Sequence, residues 1–132
     1  MTLSKIFIEP IWDRKTVGEG FRPISSDDKL VTLNIPVFER FWSGPLGHGF
    51  YIPPYDNSGR YNRVLERWYD GLPVSLAEIG IIPFEGTMNI MSLGFTNGRH
   101  CYAAARDLGL KTMPVAMDRS SLAVARYHHI IL

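Results

Sequence analysis

A short polar stretch in the last third of the chain holds the residue types best suited to binding chemistry. It follows a nearly unbroken apolar run, Met88–Phe95, and precedes an alanine-rich segment that stops at Gly109. This order predicts a buried strand, a turn at Thr96–Asn97 and a helix over 98–108. The residues of the turn and of the helix start are Thr96, Asn97, Gly98, Arg99 and His100.

The start of a helix attracts anions, because its first N–H groups lack helical partners and the helix dipole is positive there. Gly98 leaves room for a ligand, and Asn97 can cap the helix. Arg99 is well shaped for bidentate phosphate contact, yet it is unfavourable at an isolated helix start. A bound anion would remove that conflict, so the turn is a candidate phosphate site. The alternative is an ordinary Asn-Gly turn with a solvated arginine.

The other residues that could do chemistry have simpler interpretations. Arg60, Arg63 and Arg67 form a basic strip that could meet phosphates, but a solvated helix face is the favoured interpretation. Cys101 is interpreted as a packed side chain rather than a reactive thiol. His128-His129 is a poor metal pair, because neighbours on a helix point about 100° apart. No carboxylate has a spacing that singles it out as a general base, so no catalytic residue is predicted.

The composition is that of one ordinary soluble domain. The 132 residues carry a net charge of +1, and 45% of them are apolar. A net charge this close to zero is not typical of a protein that binds DNA over its whole surface. The single cysteine excludes an internal disulfide. No apolar run reaches the length of a membrane span, and the first residues do not resemble a signal peptide. We therefore predict a single domain over residues 1–132, cytoplasmic and without a membrane partner.

Strand and helix signals alternate along the chain, which predicts the α/β (α+β) class, a small mixed sheet flanked by helices. Strands are predicted at Lys5–Trp12, Leu30–Ile35, within Leu76–Pro83 and at Thr112–Met117, besides the strand before the turn. Helices are predicted at Val37–Trp42, between the candidate caps Asp56–Ser58 and Gly71, and at Leu122–His129. The segment Arg14–Asp28 is rich in Gly, Ser and Asp and is predicted to be a loop.

The segment Gly94–Val115 resembles the ParB/sulfiredoxin superfamily. That family shows a strand, a turn of the form Asp/Asn-Gly-x-His/Arg-Arg, an alanine-rich helix, Leu-Gly and a strand that opens with Ile/Val-Pro-Val. The corresponding residues of this chain are Asn97-Gly98-Arg99-His100, Ala103–Ala105, Leu108-Gly109 and Met113-Pro114-Val115. Within the superfamily the chain most resembles the small plasmid fertility-inhibition proteins.

The resemblance implies a nucleotide or other phosphate ligand at Thr96–His100, with ATP or CTP and Mg²⁺ as candidates. It also implies ATPase or DNase activity in the inhibition of plasmid transfer, with DNA as a further candidate partner. Cys101 stands where the family usually has arginine, which argues against strong nucleotide binding or hydrolysis. The alternative is a catalytically inert module that docks on a component of a DNA-transfer or secretion apparatus. A DNA-binding regulator is least favoured, because the charge is near neutral.

Overall fold

A computed structural model describes residues 8–18, 20–48 and 50–132 of the chain. The strands are β1 (Trp12–Val17), β2 (Arg22–Pro23), β3 (Lys29–Asn34), β4 (Gly47–His48), β5 (Val74–Pro83), β6 (Ile90–Asn97) and β7 (Thr112–Met117). The helices are α1 (Ile35–Trp42), α2 (Gly59–Tyr69), α3 (Arg99–Asp107) and α4 (Arg119–Tyr127). The predicted helices and most of the predicted strands are present, with shifted ends.

Strand β5 is the centre of a mixed sheet that has seven strands in the described part of the chain. It pairs in parallel with β1 and β7 and antiparallel with β6. Strands β2, β3 and β4 extend the sheet by pairing with β1, β7 and β6, respectively. The first four residues of β5 are all buried, which requires a nearly continuous apolar sequence. This arrangement confirms the predicted α/β (α+β) class.

Three of the described helices begin at a residue whose side chain caps them. Asn34, Ser58 and Asp118 accept hydrogen bonds from main-chain N–H groups in the first turns of α1, α2 and α4, which would otherwise lack a partner. Helix α3 instead packs on the sheet through Tyr102–Ala105, which are fully buried. Its alanines let the helix backbone approach the sheet closely. None of the described helices combines the length and the apolar character needed to cross a membrane.

The N-terminal part of the chain departs from the sequence prediction. Residues 5–7 of the strand predicted at Lys5–Trp12 lie outside the described residues, as do the first residues that were compared with a signal peptide. Among the described residues the strand begins only at Trp12. The loop predicted over Arg14–Asp28 is wrong, because it contains most of β1 and all of β2. These polar residues form strands because β5 and β2 pair with the backbone of β1.

Two other predicted boundaries also differ. The strand predicted over Met88–Phe95 lies two residues further on and includes Thr96–Asn97, because Glu78 of β5 pairs with Asn97 beyond an irregularity in the register. Met91 is 45% exposed, so this strand is not covered on both faces as predicted. Helix α4 ends at Tyr127, and His128 lies beyond it, where its ring bonds to a main-chain carbonyl of the β5–β6 hairpin at 2.6 Å.

Replacement of Gly98 by alanine tests how closely α3 is seated on the sheet. Gly98 has φ +81°, and an added Cβ would lie 2.7 Å from the Cα of Ala77. Gly109 has φ +86°, but an added Cβ would meet nothing within 4 Å, so Gly109→Ala is the matched control. We expect Gly109→Ala to lower the free energy of unfolding by about 1 kcal/mol, and Gly98→Ala by about 2–4 kcal/mol, in urea denaturation. Equal losses would contradict the close approach.

Candidate functional site

The predicted phosphate turn lies where β6 ends and α3 begins. Thr96 is exposed, and the four residues that follow it are half-buried. Asn97 does not cap α3 as predicted, because it still belongs to β6 and lies opposite Glu78 of β5. Its Nδ2 donates a hydrogen bond to Glu78 Oε1 at 3.0 Å. The N-cap of α3 is Gly98 in a left-handed conformation, so Arg99 and His100 fall in the first turn as predicted.

A cavity of about 710 Å³ lies beside this turn. Helix α2, the start of α3 and the sheet contribute to its lining, together with two phenylalanines from loops. The described lining residues are Gly20, Phe21, Phe50, Arg60, Arg63, Val64, Arg67, Val74, Ser75 and 95–101. The structure thus places the arginine strip of α2 beside the turn, although the sequence favoured a solvated face for it. Only the packing of α2 beside α3 reveals this, and the sequence does not show that packing.

The charged side chains among the described lining residues of the cavity are all cationic. Four arginines contribute to the lining together with the N-terminal end of α3, and none of the described lining residues is acidic. Arg67 donates to the carbonyl oxygen of Pro73 through Nε at 2.9 Å and Nη2 at 2.6 Å. Arg99 Nη1 donates to the carbonyl oxygen of Phe50 at 3.2 Å. Guanidinium groups held around a partly enclosed site, next to the positive end of a helix, favour the binding of an anion.

Ser75 and Cys101 line the cavity next to each other. Both are buried, and Ser75 Oγ lies 3.9 Å from Cys101 Sγ. This position agrees with the interpretation of Cys101 as a packed side chain. The ParB/sulfiredoxin pattern usually has an arginine here, and in this chain the neighbouring helix α2 contributes arginines to the same cavity.

The segment of residues 50–57, which we call the strap, is attached to α3 through its main chain. Besides the bond from Arg99 to the carbonyl oxygen of Phe50, Arg106 Nη1 donates to the carbonyl oxygen of Ile52 at 2.6 Å. The main-chain N–H of Tyr55 donates to Asp107 Oδ2 at 2.8 Å. These bonds hold the first residue of the strap in the lining of the cavity.

Arg106 and Glu39 form a largely buried ion pair that connects α3 to α1. Arg106 Nη1 lies 3.3 Å from Glu39 Oε1, and the two side chains are 9% and 21% exposed. Tyr102 donates to the same oxygen at 2.8 Å, and Tyr51 donates to the other one. Burial alone would lower the pKa of Arg106, but Asp107 and Glu39 hold it above its ordinary value. The sequence analysis missed this pair, because its members are 67 positions apart.

Two carboxyl groups face each other behind the turn. Glu78, which accepts the hydrogen bond from Asn97, is also the acidic residue with the largest effect on the pKa of Asp28. Burial, the hydrogen bond and charge of Glu78, and the charges of Asp118 and Asp27 raise the pKa of Asp28 to about 6. Repulsion between like charges and partial desolvation both disfavour the ionised form. At neutral pH this part of the fold therefore holds an unfavourable concentration of negative charge.

Replacement of Asp28 by asparagine should relieve this repulsion in a pH-dependent way. Because the pKa of Asp28 is higher in the folded state than in the unfolded state, its favourable contribution is fully present below about pH 4 and is lost as pH rises through about 6. We expect Asp28→Asn to raise the free energy of unfolding by about 1 kcal/mol at pH 7.5, after allowance for solvent screening, and to change it little at pH 4. Glu85→Gln, which removes an exposed carboxyl group in the β5–β6 hairpin, is the control, and an effect of Asp28→Asn that is independent of pH would contradict the coupling.

Comparison with known proteins identifies a structural neighbour. No family model matches the chain, and no curated protein matches it. The fold is similar to the solved structure of the Oncogenic Suppression Activity Protein, a plasmid fertility inhibition factor, with a TM-score of 0.62 and 21% sequence identity. The match covers 79% of this chain and 57% of that one, so this chain spans little more than half the length of the neighbour. At this level of identity the comparison establishes a shared fold.

Proposed function

We propose that the protein binds a phosphate-bearing ligand, of which a nucleotide is the best candidate, in the cavity beside Thr96–His100. The observation that carries the proposal is the convergence of four arginines and the start of α3 on one cavity of about 710 Å³. Cavities of this size accommodate ligands as large as a nucleotide. The resemblance of the turn to the ParB/sulfiredoxin pattern supports the same ligand class.

The phosphate groups are expected to lie between α2 and the first turn of α3. Arg60 and Arg63 are exposed side chains on the cavity side of α2, and Arg99 contributes from α3. Several guanidinium groups can share the charge of a polyphosphate, and each offers a planar pair of donors. The partly enclosed position strengthens these contacts, because water screens charges less effectively there.

The geometry favours binding over hydrolysis. None of the described lining residues is a carboxylate, and Glu39 and Glu78 are engaged by Arg106 with two tyrosines and by Asn97, respectively. A general base must instead be available to accept a proton from an attacking water. ATPase and DNase activities are therefore less favoured than binding, and both should be measured alongside it.

We further propose a biological role in plasmid fertility inhibition. The support is the shared fold with a plasmid fertility inhibition factor, together with the resemblance of the Asn-Gly-Arg-His turn to proteins of that kind. The role can depend on the ligand in the cavity or on docking to a DNA-transfer component, and a variant that cannot bind the ligand separates these possibilities.

Replacement of Arg63 by glutamine tests the binding site directly. We expect ATP, CTP and tripolyphosphate to bind the wild-type protein, measured by isothermal titration calorimetry with and without Mg²⁺. Loss of one guanidinium–phosphate contact should weaken binding about tenfold or more. Arg119→Gln removes an exposed arginine of α4 and serves as the control, with unchanged affinity expected. If none of these ligands binds the wild-type protein at millimolar concentration, the proposed site is wrong.

A plasmid-transfer assay tests the biological role. Expression of the wild-type protein in a donor cell is expected to reduce the frequency of transfer of a co-resident conjugative plasmid. Arg63→Gln should restore transfer if the ligand is needed, while Arg119→Gln should continue to inhibit it. Unchanged transfer frequencies with a panel of plasmids would contradict the role, and inhibition by both variants would favour docking without ligand.

A further inference from the structure

Phe50 has a conformation and an exposure that are unusual for a phenylalanine. Its φ is +57°, in the left-handed region that bulky side chains rarely adopt. The residue is also 85% exposed, the largest value among the exposed large hydrophobic residues of the described chain. Both features cost free energy, and neither brings burial of the ring in return.

The surrounding structure nevertheless holds this ring at the cavity. Arg99 donates to the carbonyl oxygen of Phe50, and the Arg99 guanidinium carbon lies 5.2 Å from the centre of the Phe50 ring. Arg106 fixes the strap two residues further on, at Ile52. One side of the ring is therefore occupied by a cation, while most of the remaining surface of the residue is accessible. A strained residue that is held in this way points to a functional constraint.

Phe21 provides an internal comparison. It also lines the cavity, has the same φ of +57° and lies under an arginine, with the Arg67 guanidinium carbon 5.0 Å from its ring centre. Phe21 is only half exposed, and its arginine is held on the carbonyl oxygen of Pro73. Its ring therefore gains packing from its neighbours, whereas the ring of Phe50 is left available for a ligand.

We infer that Phe50 is a stacking platform for an aromatic ring of the ligand, so that the cavity selects nucleotides over phosphates that carry no base. This inference rests on the proposed phosphate site and adds to it a subsite for the base of the nucleotide. The base would stack on the open side of the Phe50 ring, and Arg99 would lie between the platform and the phosphate groups. Stacking on a ring without hydrogen-bonding groups does not distinguish one base from another. The expected specificity is therefore for nucleotides as a class.

The platform can be tested by comparing three ligands that each contain a chain of three phosphates. Two of them, ATP and CTP, carry a base, and tripolyphosphate carries none. We expect ATP and CTP to bind the wild-type protein with similar affinity, and at least about tenfold more tightly than tripolyphosphate, which is the size of one base-stacking contact. Phe50→Leu keeps an apolar side chain and removes the ring, so it should reduce this advantage to less than about threefold. The affinity for tripolyphosphate should remain unchanged. Phe84→Leu replaces an exposed phenylalanine in the β5–β6 hairpin and is the matched control.

A second variant reports stacking without relying on affinity. Phe50→Trp keeps an aromatic platform, and its indole fluorescence should change when ATP is added and should not change with tripolyphosphate. The same titration of the wild-type protein corrects for the three native tryptophans, and urea denaturation confirms that each variant is folded.

The possible outcomes separate this inference from the proposed function. If all three ligands bind with equal affinity and Phe50→Leu changes none of the three affinities, the inference of a stacking platform is wrong and the phosphate site stands. If Phe50→Leu weakens tripolyphosphate and nucleotides equally, Phe50 only supports the strap, which also overturns the inference. If no ligand binds the wild-type protein, the phosphate site itself fails.

Discussion

The arrangement of the site depends on the buried ion pair of Arg106 and Glu39. The pair joins α3 to α1, and Arg106 also reaches the strap through the carbonyl oxygen of Ile52. The attraction within such a pair is largely offset by the desolvation of its charges, whereas the loss of one partner leaves a buried charge and costs about 3–5 kcal/mol. The main effect of the pair is therefore to fix the positions of α3, α1 and the strap relative to one another. The strap and the start of α3 are held in one geometry.

The close packing of α3 on the sheet also fixes the geometry of the site. Gly98 and the buried alanines of α3 leave little space between the helix and β5, so the first turn of α3 is fixed relative to the sheet. Helix α2 then lies beside α3 and presents Arg60 and Arg63 to the same space. The positive lining is thus assembled from separate segments of the chain.

Local signals in the sequence were sufficient for most of the fold. The strand Thr112–Met117, the cap Ser58 and the stop at Gly109 follow from side-chain periodicity and turn chemistry, and the structure contains all three. The turn at 97–100 was also located, but Asn97 bonds to a neighbouring strand instead of capping α3. Strand β1 was missed, because its polar residues form a strand only through pairing with β5. The remaining parts of the site depend on contacts between distant segments, which periodicity does not report.

The attachment of the strap has a consequence for the evolution of this fold. Arg99 and Arg106 donate hydrogen bonds to carbonyl oxygens, which every amino acid possesses. These bonds do not depend on the side chain at position 50, whereas the side chain of Ile52 is also buried in the core. If the protein binds a ligand as proposed, mutations at the exposed position 50 can alter what is recognised and leave both hydrogen bonds in place. The residues that attach the strap and the residue proposed to set ligand preference are then different, so each can change without the other.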